Sequence, residues 1–403
     1  MKRIFLITLC ILSILLLASC GKNKQGPQGE KGDPGVTPTI EISDDGYWVI
    51  NGVKTEYKVT ADSATGSESE NPQGLDFFLK DDGTYAVAMG NAKYLSKIVI
   101  PATYNGRAIT EIADNGFSLA KVVEVIIPDS VTSIGYRAFS DCSSLTSIEI
   151  LDGVTSIGYE AFRGCSSLTS IVIPDSVTII GGSAFWNCDS LVYNEYDNAY
   201  YLGNENNPYL ALIRAKDESI SSCSINNATK FIHSNAFSGC FSLTSIEIPD
   251  SVTSIGEYAF SKCSSLTSIA IPDSVSSIGY EAFRGCSSLT SIVIPDSVTT
   301  IGDYAFSGCS SLTSVVIPDG VTSIGSYAFY YCTSLTSIEI PDSVTSIGGW
   351  AFCDCYSLTS IVFDNPNGWY INGTAVSAEE LANPETAATY LRYPYDYLIW
   401  TRK

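Results

Sequence analysis

The chain has 403 residues, with 43 acidic against 22 basic side chains and a formal net charge of −21. A field of that sign repels phosphate backbones and anionic bilayer surfaces, which makes nucleic acid a poor partner. A single histidine, His233, all but excludes Ser-His-Asp and multi-histidine zinc chemistry.

Lys2 and Arg3 precede an apolar run over residues 4–17, followed by Leu17-Ala18-Ser19-Cys20. This predicts a secretory signal over residues 1–19, too short and badly flanked for a stable membrane span. Its ending resembles a bacterial lipobox, which implies cleavage before Cys20 and lipid attachment there; an ordinary signal with an incidental cysteine is the alternative. Residues 20–38 read as a lipid-anchored tether in which Gly26, Gly29, Gly32 and Gly35 repeat as in collagen. So few triplets predict an extended stalk rather than a trimer.

Over residues 39–60, two apolar strand patterns at 39–42 and 47–53 flank Asp44-Asp45-Gly46 and predict a β-hairpin module. Residues 61–74 are poor in apolar side chains and read as a linker. A second hairpin over 75–94, with Asp81-Asp82-Gly83 at its tip, is placed to cover the open end of the repeat region.

Residues 95–363 are repetitive. Cys142, Cys165 and Cys188, then Cys240, Cys263, Cys286, Cys309, Cys332 and Cys355, are spaced by one repeat, and each closes a near-copy of LTSIEIPDSVTSIGEYAFSKC. Such a period is the signature of a solenoid whose units stack only on their neighbours. Within a unit, Leu145, Ile148 and Ile150 alternate as an inward-facing strand. A Pro-Asp-Ser or Pro-Asp-Gly corner comes next in most units. Val154 and Ile157 form a second short inward segment, and Gly158 suits a left-handed turn. Ala161, Phe162 and Cys165 then bury a short helical or 3-10 turn. Residues 193–215 break the pattern and read as a hairpin extruded from one coil, after which Cys223 takes an apolar strand position. The ruled cysteines read as small buried hydrophobes. A metal ladder needs closely clustered thiols, and a disulfide needs better geometry than parallel side chains give. Cys353 and Cys355 are the best candidates for a disulfide.

The motif LTSIxIPDSVTSIGxxAFxxCSS resembles the BspA-like leucine-rich-repeat family of the treponemal type. The resemblance implies a β-rich, right-handed leucine-rich-repeat solenoid with a parallel sheet on its concave face. It also implies a surface or secreted protein of a host-associated microbe, in some members an adhesin for host matrix proteins. No cofactor or metal is implied, and no enzymatic role. Extracellular proteins or glycans are the expected partners, and the membrane is touched only through the N-terminal lipid. Residues 156–178 and 277–299 are identical, a mark of array growth by duplication.

Two surfaces are candidates for binding. The outward row of the concave face runs Glu149, Val172, Glu247, Ala270, Val293, Val316, Glu339 and Val362, an apolar stripe between acidic ends. It reads either as an interaction face or as β-branched residues that suit a strand. Near the C-terminal coils, Tyr327, Tyr330, Tyr331, Trp350 and Tyr356 read as binding anchors, for proteins or sugars, or as packing under the tail. The tail, residues 364–403, has a helical stretch near 377–391 and is placed to seal the last coil. The corner aspartates (Asp175, Asp250, Asp273, Asp296, Asp319, Asp342) are expected to cap their own turns, with calcium binding as the weaker reading. His233 replaces a turn glycine and reads as structural, and acid pairs such as Asp44 and Asp45 sit in turns for backbone reasons.

Overall fold

A computed structural model describes residues 40–42, 47–50, 53–58, 74–92, 95–392 and 398–403. The signal, Cys20, the tether, the Asp44-Asp45-Gly46 turn and residues 61–73 lie outside them. The chain divides into two compact units, Met1–Thr65 and Gly66–Lys403. In the first, Ile40–Ile42, Tyr47–Ile50 and Val53–Lys58 form a three-stranded antiparallel sheet. The span read as one strand over 47–53 is two strands, because Ile50 pairs with Val53.

The second unit is a parallel β-solenoid of about 12 turns. Each coil lays down two strands. A front strand such as Ser291–Val293 pairs in parallel with Ser314–Val316 one coil on. A two-residue strand such as Thr300–Ile301 builds a second sheet in the same way. Alternation turns Ile292 inward and leaves Ser291 and Val293 exposed. One coil buries Val275, Ile278, Ala282, Phe283, Cys286, Leu289, Ile292 and Ile294. The phenylalanines stack into a ladder: Phe283 lies 5.4 Å from Phe260 and from Phe306, ring planes within 3° of parallel.

Behind the sheets, each coil runs as overlapping i→i+3 turns, for example from Ala161 N–H to the Gly158 carbonyl and from Cys165 N–H to the Phe162 carbonyl. Left-handed residues interrupt these turns, so no helix propagates. Gly158 is not one of them, a correction to the sequence reading: the positive φ falls two residues later, at Glu160 (53°), and likewise at Tyr258 (58°) and Tyr327 (56°). Gly158 is required by close approach instead. A Cβ there would sit 2.6 Å from the backbone of Gly135.

The ruled cysteines are buried and free. Most donate their S–H to the phenylalanine carbonyl of the preceding coil, as Cys286 does to Phe260 (3.2 Å) and Cys355 to Phe329 (3.1 Å). Burial pushes the thiols of Cys188 and Cys309 up to about 12. Cys353 is half-buried and also free.

The hairpin expected around residues 203–208 is present, Ala199–Leu202 antiparallel to Ala211–Ala215, but it forms an internal wall rather than being extruded. Asn194–Tyr196, Ala199–Leu202 and Ala211–Ala215 form an antiparallel meander whose last strand joins the second sheet in parallel. Ala199, Tyr201 and Leu212 pack into the core on the C-terminal side; Leu202, Leu210, Ala211 and Ile213 pack into the core on the N-terminal side. A segment apolar on both faces is held inside by that pattern. Two hydrophobic cores result, and the second sheet divides at this point.

The hairpin of Asp76–Leu79 and Tyr85–Ala88 extends the second sheet edge-on, with Tyr85–Ala88 parallel to Arg107–Ile112. At the far end Trp400–Arg402 adds antiparallel to Ser346–Ile347, and Trp369 and Trp400 pack on Phe363. The helices Ala378–Leu381 and Pro384–Arg392 complete this cap.

Candidate functional site

The front strands carry the outward row. Glu149, Val172, Glu247, Ala270, Val293, Val316, Glu339 and Val362 are all exposed. Register places Glu247, Ala270, Val293 and Val316 on successive strands, with Val293 and Val316 70% and 72% exposed. The wall separates this stretch from Glu149 and Val172, so the row is two faces rather than one. At its far end Glu339 pairs with Val362, and a hydrogen bond with Asp364 raises the Glu339 carboxyl above its usual range. The unvarying threonines beside the row are latches: Thr290 and Thr313 each donate to the threonine carbonyl one coil back, both at 3.2 Å.

The aromatic candidates meet. Tyr327 packs on Trp350 (5.1 Å) and Tyr330 (5.7 Å), and Tyr331 lies 6.0 Å from Tyr330 and 6.1 Å from Tyr356. The ridge runs further than the sequence reading placed it. Tyr304 stacks on Tyr327 at 4.4 Å, and Tyr280 and Tyr258 continue the line at 5.9 Å and 5.2 Å. The missed signal was the column itself. Tyr258, Tyr304, Tyr327 and Trp350 all stand immediately before Ala-Phe, where the backbone is left-handed and aims the side chain along the coil edge. Of the described rings of the tail, Trp369, Tyr390 and Trp400 pack around Phe363 and each other. Tyr331 and Tyr356 stay 46% and 53% exposed. A hydrogen bond to Asp354 raises the Tyr356 phenol and keeps it a neutral donor.

The corner aspartates are exposed, but the expected capping is made otherwise. Val298 N–H closes its turn onto the Pro295 carbonyl (3.0 Å), and Ser297 Oγ reaches back to the Val275 carbonyl (2.6 Å). Asp175 instead accepts from Asn204 (2.9 Å), and Asp342 from Arg402 (2.8 Å) and Asn365 (2.9 Å). Among the described residues no three His, Cys, Asp or Glu side chains converge as metal ligands. No described helix is long and apolar enough to cross a membrane. His233 is buried, Nδ1 facing the Ser234 carbonyl and Nε2 the Gly181 carbonyl, both at 3.2 Å; desolvation lowers its pKa to about 4.

The model of the BspA type leucine rich repeat region matches in six copies, over residues 88–205, 215–311 and 276–386. The chain therefore belongs to the BspA-type leucine-rich-repeat family. Among solved structures it is similar to a leucine-rich repeat protein of T. pallidum, at 27% identity over 55% of this chain and 91% of that one, TM-score 0.35. A leucine-rich cell surface protein of Faecalibacterium prausnitzii shares 30% identity over 75% of this chain and 96% of that one, TM-score 0.33. A leucine-rich repeat protein of Bacteroides ovatus shares 26% over 72% and 87%, TM-score 0.29. No curated protein matches the chain.

Proposed function

We propose that this protein is a surface-displayed interaction module, anchored through lipid on Cys20, that holds extracellular macromolecules on its aromatic ridge and outward strand row. The observation that carries the reading is the ridge. Its rings brace one another while Tyr331 and Tyr356 face solvent, and pre-braced aromatics bind with little loss of side-chain freedom. Exposed Val293 and Val316 add an apolar patch on the strand face. The family supports a role in recognition rather than catalysis.

The full chain, presented on matrix-protein and glycan arrays, tests this. Binding that a Tyr331→Ala/Tyr356→Ala double variant loses supports the ridge. Protein ligands support adhesion and glycan ligands a carbohydrate-binding role, whereas retained surface display with no ligand in either set marks a spacer. Release of a Cys20→Ala variant from the membrane fraction tests the anchor independently.

A further inference from the structure

Between all other successive coils of the ladder, three backbone N–H groups at the back of one coil donate to three carbonyls of the next. Glu160, Phe162 and Gly164 give theirs to Gly182, Ala184 and Trp186; Tyr258, Phe260 and Lys262 give theirs to Tyr280, Ala282 and Arg284. The pattern fails once inside the array. The equivalent N–H groups of Ser183, Phe185 and Asn187 find no acceptor among the described residues. The cause is the wall. Its coil reaches its front strand Ser222–Ser224 through residues 214–221 and has no Ala-Phe-x-x-Cys segment to place beside them. A cleft of about 820 Å³ opens there, and Ser183, Phe185 and Asn187 line it.

The missing segment leaves other marks. Cys240 lines the cleft and makes no bond of the kind its counterparts make to a phenylalanine carbonyl of the preceding coil, because that coil has no phenylalanine. The ring ladder is interrupted between Phe185 and Phe237, and His233 leans against Phe185 at 6.0 Å. Buried Phe185, Leu191, Ile213 and Cys240 give the lining an apolar part. The cations at the rim are engaged: Lys216 pairs with Glu195 (2.7 Å), and Arg214 lies over Tyr200 (4.7 Å). Asp189, Asp217 and Glu218 leave the rim acidic.

We infer that this cleft captures a peptide segment of a partner protein. Its backbone carbonyls accept from the N–H groups of Ser183, Phe185 and Asn187, and an aromatic side chain settles on the apolar lining. Donors at every second residue match carbonyls at every second residue, the spacing each neighbouring coil supplies. An unpaired N–H row is how an open sheet edge recruits a strand, and here it is recessed within a cleft. A basic residue after the aromatic suits the acidic rim, as Arg163, Lys262 and Arg284 come after the ladder phenylalanines in this chain. A pocket of this volume takes one such side chain with its flanking backbone.

The test uses the full chain and an amidated peptide copying residues 255–265. Amide exchange is tracked residue by residue, with the fluorescence of Trp186, 53% exposed at the cleft, as a second readout. In the free protein Ser183, Phe185 and Asn187 should exchange faster than Glu160, Phe162 and Gly164. With peptide at about ten times its Kd, their exchange should slow about tenfold, while a scrambled peptide leaves it unchanged. An Ala215→Trp variant, which fills the cleft from a position whose own N–H stays on the Ala236 carbonyl, should abolish the effect. Slow exchange before peptide is added, no change on adding it, or protection by inorganic phosphate or maltose in its place would each overturn the inference. Array binding through the ridge is scored separately, so failure at one site leaves the other standing.

Discussion

Lowering the pH should unlock the junction around His233. Its imidazole is buried between the Gly181 and Ser234 carbonyls, and desolvation takes its pKa from 6.5 to about 4. Two carbonyls could be satisfied by an imidazolium, but burial outweighs them. A depressed folded-state pKa means that the stabilisation is fully present above about pH 6.5 and is lost as pH falls toward 4. The full span is worth about 3 kcal/mol, of which about 2.5 is gone at about pH 4.5. Urea midpoints at about pH 7 and pH 4.5, compared between wild type and His233→Gln, isolate this term from the carboxylates that titrate in both. The variant should lose that much less stability on acidification. Equal acid losses in the two proteins would refute the argument.

Removing a rung of the ring ladder, as in Phe283→Ala, should cost about 3–5 kcal/mol, measured by urea unfolding, since Phe283 is fully buried between two parallel rings. Thiol labelling in native buffer should modify Cys353 first and leave Cys286 and Cys309 untouched until the chain unfolds; mass spectrometry of alkylated peptides reads this directly. Val293→Lys and Val316→Lys should each change stability by no more than about 0.5 kcal/mol in urea, yet weaken any ligand held on the strand row. Arg402→Ala should loosen the C-terminal cap, seen as faster amide exchange in Trp400–Arg402, because Arg402 ties the tail to Asp342.

The repeat was legible because its chemistry recurs. Ile292 or Phe283 alone says little, but the same residue types in nine equivalent places fix the coil length, the inward columns and the buried thiols. Two things were not legible. Gly158 carries no hint of whether it serves a left-handed turn or a close approach, and the answer lies in the backbone of Gly135 one coil away. The segment around Tyr201 has strand character on both faces, which sequence alone assigns equally to an exposed hairpin and to an internal wall. Only the packing of Tyr201 into one core and Leu202 into the other decides it. The ridge was half seen: Tyr327 and Trp350 stood out, whereas Tyr258 and Tyr304, in the same column before Ala-Phe, were not singled out.

The identical stretches 156–178 and 277–299 stand on opposite sides of the partition formed by residues 193–215. A gene product in which residue 178 runs straight into residue 300 would therefore keep every column aligned and both ends covered. It would also lose the recess and fuse two interiors into one. Length and pocket would thus change together in this chain, since the joined product loses residues 179–299 along with the recess.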